Sequence, residues 1–352
     1  MKKSASRLSD GRELIYYDAG DDAVRDVIDS RLLDPVPRGS QARHDPLLDD
    51  WVVVAAHRQL RTYHPPTEDC PLCPSRPGHA SEIPAGNYGV VVFENRFPAL
   101  AGDPVDGEGS AGRCEVVCFS PEHDTSFSEL SPAQARLVLD AWIDRTADLY
   151  QQDGIEQVFL FEDRGEEIGM TLVHPHGQIY AYPFVTPRVA RMLESARAHR
   201  SRTGLNIFDD LVAGELAAGE RIVLENGHWV AFVPRTARWP YEVHLYPRSR
   251  VPDLLGLDDA ARAAFPAIYQ EVLARFDRLF GVGAGPTPYL SAWLQAPRRA
   301  PDRDEFALHL ELFTVRRTAS KLKHLAGSEH VMGVFINEVS PEEAAETLRK
   351  LG

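Results

Sequence analysis

Two short stretches of this 352-residue chain combine residue types able to do chemistry at close quarters. The first is His174-Pro175-His176-Gly177-Gln178. Alternate residues of a strand share a face, so His174, His176 and Gln178 are expected to point the same way. Pro175 removes a ladder donor and suits a sheet edge or bulge, where side chains reach a ligand. Two histidines on one face are often satisfied packing residues. The flanking Pro and Gly, with Gly165 and Gly169 just upstream, turn the reading toward a site. A neutral imidazole there is a competent nucleophile near pH 7 without a strong base.

The second stretch is Cys70-Pro71-Leu72-Cys73. Two thiolates three residues apart in a Pro-rich turn fit one corner of a tetrahedral zinc site. Redox pairs share this spacing but open a helix after a strand, and this pair lies in a loop. Metal binding is the better reading. The other ligands are open between Cys114 and Cys118 and histidines such as His123 and His174. Cys114, Val116 and Cys118 alternate as buried structural residues do, whereas His123 lies just past their strand.

Weaker signals surround these. Arg58 and Arg61 are three apart, and a guanidinium fork matches phosphate oxygens, but exposed arginines are usually only solvated. In Phe93-Glu94-Asn95-Arg96-Phe97 the aromatic rings suit either a core or a base-binding slot.

The elements that must carry these residues come in two similar runs. Residues 1–40 read as polar and irregular, a poorly packed arm. Strand patterns follow at Trp51–Ala55, Val90–Phe93 and Cys114–Phe119, separated by Gly- and Pro-rich loops that include 102–112. Ser131 and Pro132 open a helix that Gly154 closes. Strands at Gln157–Phe161 and Thr171–Tyr182 complete the first run. The segment 186–225 reads as a link. The second run has strands at Trp229–Val233 and Val243–Pro247, a helix capped by Asp258, and strands at Tyr289–Leu294 and Phe306–Phe313. His309-Leu310-Glu311 stands where the first run has His174-Pro175-His176. This strand–strand–helix–strand–strand repetition predicts a duplicated α+β chain with antiparallel sheets, divided as 1–195 and 196–352.

Composition is ordinary for a globular protein, with 43 % hydrophobic and 26 % charged residues. The formal net charge of −14 makes nucleic acid a poor partner, because that binding needs clustered Lys and Arg. No window is apolar enough to span a bilayer, and the first 20 residues do not resemble an export signal. The expected compartment is the cytoplasm, with the four cysteines as reduced thiols or metal ligands rather than disulfides.

Taken together, these segments closely resemble the galactose-1-phosphate uridylyltransferase family, the transferase branch of the histidine-triad superfamily. The match runs from about Asp45 to Leu351. It includes Asp50-Trp51-Val52-Val53-Val54 leading to Arg58, the Cys70/Cys73 pair, Phe93 to Phe97, Phe119 to His123, Gly169 to Thr171, the His174–Gln178 core, and Lys323 to Asn337.

The resemblance implies tandem histidine-triad-like domains and one structural zinc held by Cys70, Cys73, His123 and His174. It implies His176 as nucleophile and Gln178 as its phosphoryl contact. Arg58, Arg61, Phe93, Asn95, Arg96, Asp163, Gly169, Met170 and Thr171 match nucleotide-side positions, although many relatives have an amide at Asp163. Lys323, Glu329, Phe335 and Asn337 fall in the segment used for the hexose. Some members hold a second metal through a Glu and three His. The matching positions here are Met192, Leu294, His309 and Glu311, so no second metal is expected. The implied reaction exchanges UMP between UDP-glucose and galactose 1-phosphate in a homodimer. Two rivals are a nucleoside-diphosphate-sugar phosphorylase and a non-catalytic zinc-dependent nucleotide-binding protein.

Overall fold

A computed structural model of the chain describes residues 1–36, 39–60, 64–101 and 112–352. Arg61 and most of the expected loop at 102–112 lie outside the described residues. The chain divides into two compact units. The first is Met1–Leu160, Thr171–Arg191 and Pro297–Pro301; the second is Phe161–Met170, Met192–Ala296 and Asp302–Gly352.

The first unit opens with β1 (Lys2–Arg7) and β2 (Glu13–Asp18), a hairpin turned at Gly11, whose φ of 87° favours glycine. The expected loose arm is thus wrong over these residues. Leu14, Ile15, Tyr16 and Tyr17 are buried, and β2 pairs antiparallel with a core strand. The run Leu14-Ile15-Tyr16-Tyr17 is a strand signal that the polar residues around it conceal. β3 (Gln41–Asp45) and β4 (Asp50–Val54) make a separate two-stranded ribbon. β5 (Val90–Glu94), β6 (Arg113–Cys118), β7 (Gln157–Arg164) and β8 (His176–Tyr182) follow. The sheet order is β1-β2-β5-β6-β8-β7, and β7 passes into the second unit after Leu160.

Helix α1 (Pro132–Gln151) begins as expected, with the Ser131 hydroxyl accepting from Gln134 N at 3.1 Å. Its buried face includes Leu137, Val138, Leu139, Trp142 and Leu149. It also carries Arg145, whose fork donates to both oxygens of buried Glu115 on β6 at 2.9 and 2.7 Å. Burial alone would raise the Glu115 pKa; Arg145 and Arg113 outweigh it and hold the carboxyl below its usual range.

In the second unit the expected link at 186–225 folds into α2 (Pro187–Thr203), α3 (Ile207–Ala218) and β9 (Ile222–Glu225). Asn206 caps α3 and Gly219 closes it. β10 (Trp229–Phe232), β11 (Val243–Pro247), α4 (Asp259–Arg278), β12 (Tyr289–Leu294) and β13 (His309–Phe313) repeat the order of β5, β6, α1, β7 and β8. Their sheet runs β12-β13-β11-β10-β9, with antiparallel pairs throughout. Trp229, Phe265, Tyr269, Phe276 and Trp293 fill the core under α4. Helices α5 (Gly327–Met332) and α6 (Pro341–Lys350) end the chain. No helix among the described residues is long and apolar enough to cross a membrane.

Candidate metal centre and active-site histidine

The loop holding Cys70 and Cys73 turns tightly, with Cys73 N donating to Cys70 O at 3.4 Å. The Cys73 carbonyl accepts from Ser81, which fixes the turn from behind. Both thiols converge with His123 and His174, and the four ligand atoms lie within 4.8 Å of one another. Cys73 Sγ is 3.2 Å from His123 Nδ1 and 3.6 Å from His174 Nδ1. His174 is fully buried, and its Nε2 donates to Ser120 O at 2.8 Å. That bond leaves the Nδ1 lone pair facing the sulfurs, as a metal-ligating histidine requires. Tyr88 supports the same carbonyl, donating to Ser120 O at 2.6 Å, with its oxygen 3.3 Å from His174 Nε2. Burial, then the neighbouring Cys70, pushes the Cys73 thiol up to about 12, so it needs a bound cation to ionise near neutral pH.

Two S and two N donors at these separations fit a tetrahedral ion. Of the ligands left open by the residues alone, the fold gathers the two histidines with the Cys70/Cys73 pair. Cys114 and Cys118 stay outside the cluster, and Cys114 Sγ instead accepts from Leu100 N at 3.3 Å.

His176 is the first residue of β8, opposite Cys118 of β6. The expected strand from Thr171 is therefore shorter, because Pro175 offers no ladder N–H and 171–175 run as loop. The face-sharing expectation fails for His174, which turns into the buried cluster. It describes the residues after it: His176, Gln178, Tyr180 and Tyr182 are half-buried, while Gly177, Ile179 and Ala181 are buried. His176 Nδ1 donates to His174 O at 2.7 Å, which leaves Nε2 with its lone pair. Burial lowers the His176 pKa, against a smaller raising effect of that bond, so the ring is held neutral.

The remaining predicted residues take varied positions. Arg58, in a short 3-10 turn after β4, donates to Tyr180 Oη at 3.0 Å. Asn95 opens the turn after β5, its side-chain oxygen accepting from Phe97 N at 2.8 Å, and it lines a cleft with Pro98, Leu100 and Arg113. Phe93 is a core residue, only 2 % exposed within the Leu14, Val91 and Val116 cluster, which removes its ring from a base-stacking role. Arg96 is half-buried and 3.9 Å from Glu82. Thr171 O accepts from His64 N at 3.0 Å.

In the second unit, burial pushes Asp163 up to about 6. Gly169, at φ 97°, closes a turn in which Met170 Sδ accepts from Gly165 N at 3.4 Å. Lys323 is buried and donates to Glu329 at 3.0 Å and to Ile336 O. The Lys323 hydrogen bond holds Glu329 down to about 2. Phe335 packs edge-on to Trp239, and Asn337 Nδ2 donates to Ala237 O and Trp239 O, both at 3.1 Å. Lys323, Glu329 and Asn337 thus hold the 323–339 segment in shape.

Sequence reasoning missed Tyr88 and Tyr180, whose roles come from partners distant in the chain, Ser120 and His174 for the first and Arg58 for the second. It also missed Glu242 and His244, although Glu-x-His beside a strand bearing His-x-Glu is a detectable pattern.

The chain was compared with known proteins. The N-terminal domain model of galactose-1-phosphate uridyl transferase matches residues 33–186, and the C-terminal domain model matches 192–352. A galactose-1-phosphate uridylyltransferase of Streptomyces lividans is 55 % identical, over 100 % of this chain and 98 % of the relative. One from Thermotoga maritima is 37 % identical over 88 % of this chain and 98 % of its own length. A solved uridylyltransferase structure superimposes with a TM-score of 0.76 at 29 % identity, covering 88 % of this chain and 98 % of its own. An ADP-glucose phosphorylase from Arabidopsis thaliana, 23 % identical with a TM-score of 0.70 over 89 % of this chain and 100 % of its own, shares the fold. The paired strands, the Cys/His cluster and the histidine beside it accord with these matches, and the chain belongs to the galactose-1-phosphate uridylyltransferase family.

Proposed function

We propose that the chain exchanges UMP between UDP-glucose and galactose 1-phosphate through a uridylyl-histidine on His176. The observation that carries this reading is the locked ring of His176. Nδ1 is committed to the His174 carbonyl, so the lone pair sits on Nε2, on the half-buried face of β8.

In this reading Nε2 attacks the α-phosphorus of UDP-glucose. The bond to the bridging oxygen breaks, and its electron pair leaves with glucose 1-phosphate. A phosphate oxygen of galactose 1-phosphate then attacks the same phosphorus, and the N–P pair returns to Nε2. The leaving group is itself a phosphate, so no strong general acid is needed. The protein's task is alignment and stabilisation of the equatorial oxygens. Gln178, two residues along the same face, donates a hydrogen bond there but cannot shuttle a proton to water. Arg58, Asn95, Arg96, Asp163, Gly169, Met170 and Thr171 take the nucleotide and phosphates by the family pattern. The 323–339 segment, shaped by Lys323 and Glu329, takes the hexose, with Phe335 and Asn337.

Zinc is the ion we assign to Cys70, Cys73, His123 and His174; four protein ligands close its shell, so its contribution is structural. His174 then ties the loop that ends at His176. A homodimer is the expected working form, and light scattering tests it.

Acceptor choice tests the function. With UDP-glucose as donor, galactose 1-phosphate should yield UDP-galactose much faster than inorganic phosphate yields UDP. Faster release to inorganic phosphate would make the chain a phosphorylase.

A further inference from the structure

The Cys70–Cys73 turn is braced by a part of the chain that the uridylyl transfer does not use. Its carbonyls are taken up by the segment that follows it. His79 Nε2 donates to Cys70 O at 3.2 Å, Glu82 N to Pro71 O at 3.0 Å, and Ser81 Oγ to Cys73 O. The turn can therefore open only if residues 79–82 move with it.

That segment is held by the N-terminal hairpin and the stretch after it. Arg12 and Glu82 are buried, and two guanidinium groups share the Glu82 carboxylate. Oε2 accepts from Arg12 Nη2, and Oε1 accepts from Arg31 Nη1 at 2.9 Å. Both arginines are themselves fixed. Arg12 donates to Glu94 O at 2.9 Å and to Asp10 at 2.7 Å. Arg31 forks onto Asp29, both contacts at 2.9 Å, and Asp29 accepts from Ser9 N at 3.1 Å. Apolar packing runs the same way, since Leu8, Leu14 and Tyr16 share a core cluster with Cys70, Leu72, Cys73 and Ile83. A buried carboxylate between two cations loses much when a partner is removed, so this junction is stiff. Arg12 and Arg31 both precede residue 33, where the family's N-terminal domain model begins to match. The brace thus reaches the metal turn from outside the matched domain.

We infer that Glu82 is a positioning residue: gripped by Arg12 and Arg31, it makes the N-terminal hairpin a clamp that slows loss of the ion from Cys70, Cys73, His123 and His174. This rests on the assignment of an ion to those four ligands. For either thiolate to swing off the ion, the backbone of the turn must give, and the clamp resists that. Groups one step behind the ligands commonly change metal binding by about 10- to 100-fold. Keeping the ion also keeps His174 in place, and His174 O holds the His176 ring.

Cobalt(II)-loaded protein, mixed with excess chelator and followed by its thiolate-to-metal charge-transfer absorption, tests this. Decay of the band reports release from Cys70 and Cys73. Glu82→Gln should speed release about 10- to 100-fold. Arg31→Gln should speed it less, because Arg12 keeps its hold on Oε2, and adding it to Glu82→Gln should change nothing further. Arg145→Ala, which weakens the same unit at α1, should release at the wild-type rate. Equal rates for wild type and Glu82→Gln, or an Arg31→Gln effect that persists without the Glu82 carboxylate, overturn the inference. Equal acceleration by Arg145→Ala does so too, since any loosening of the unit would then suffice. A wild type with no charge-transfer band at all overturns the assignment of the ion, and the clamp with it.

Discussion

The two units set similar strand pairs to different ends. In the first, β8 pairs with β6; His174, in the loop just before β8, turns inward to the Cys/His cluster, while His176, the first residue of β8, stays half-buried. In the second, β13 faces β11, and the residue two beyond His309 is Glu311, buried against His244. The spacing is the same in both. A reactive group arises only where the second residue is an imidazole with an uncommitted nitrogen lone pair and a path to solvent. The carboxylate at the matching place is instead buried, 3.6 Å from His244.

A parallel contrast separates the buried acids of each unit. Glu115 is matched by the Arg145 fork and remains ionised, whereas Glu162 is met by the Tyr289 hydroxyl at 2.9 Å and has one oxygen without a partner. Burial pushes Glu162 up to about 7, against a smaller lowering by Tyr289. One acid is stabilised by charge, the other by keeping its proton.

The largest effect should come from breaking the first contrast. His176→Ala should lower kcat for uridylyl transfer on the order of 10⁴-fold or more, as removal of a nucleophile does, with metal content unchanged. Steady-state kinetics and elemental analysis read both. Next is Arg145→Ala, which leaves buried Glu115 to Arg113 at 2.6 Å and strips its second oxygen of the fork, and should cost about 3 kcal/mol of stability by denaturant unfolding. A loss below 1 kcal/mol would show that water reaches the pair.

Glu162 sharpens the comparison through pH. An unfolded glutamate titrates near about 4.3. Between there and about 7, the folded chain keeps a proton that the unfolded chain has released. Stability should therefore fall as pH rises through this window, by about 3–4 kcal/mol in all for this one group. Glu162→Gln should flatten that slope, as read by melting temperature at pH 5 and pH 8. An unchanged slope contradicts the assignment. The smallest effect expected is for Tyr88→Phe, which removes a hydroxyl behind His174 and should weaken metal affinity by about 10- to 100-fold. Competition with a chromophoric chelator measures it.

Much of this arrangement was legible in the residues. Ser131-Pro132 marks α1 because its cap is local, and Trp229, Val243 and Tyr289 open strands whose apolar runs are short and bounded. Leu14 to Tyr17 were missed because charged neighbours dilute the pattern. Helices α2 and α3 were missed because Arg-rich and acidic faces mask their apolar stripes. In the site, Cys70-x-x-Cys73 and His174-x-His176 carry their own spacing. Tyr88, Tyr180, Glu242 and His244 do not, since each gains its meaning only from residues far away in the chain. Phe93 misled for the converse reason: its neighbours look functional while its own ring points into the core.

Intact-mass spectrometry of the protein mixed with UDP-glucose alone tests the central claim most directly. The account predicts a gain of one uridylyl group, mapped to His176, and its loss on adding galactose 1-phosphate. A protein that turns over both substrates yet never carries a covalent nucleotide, at any time sampled, would contradict it.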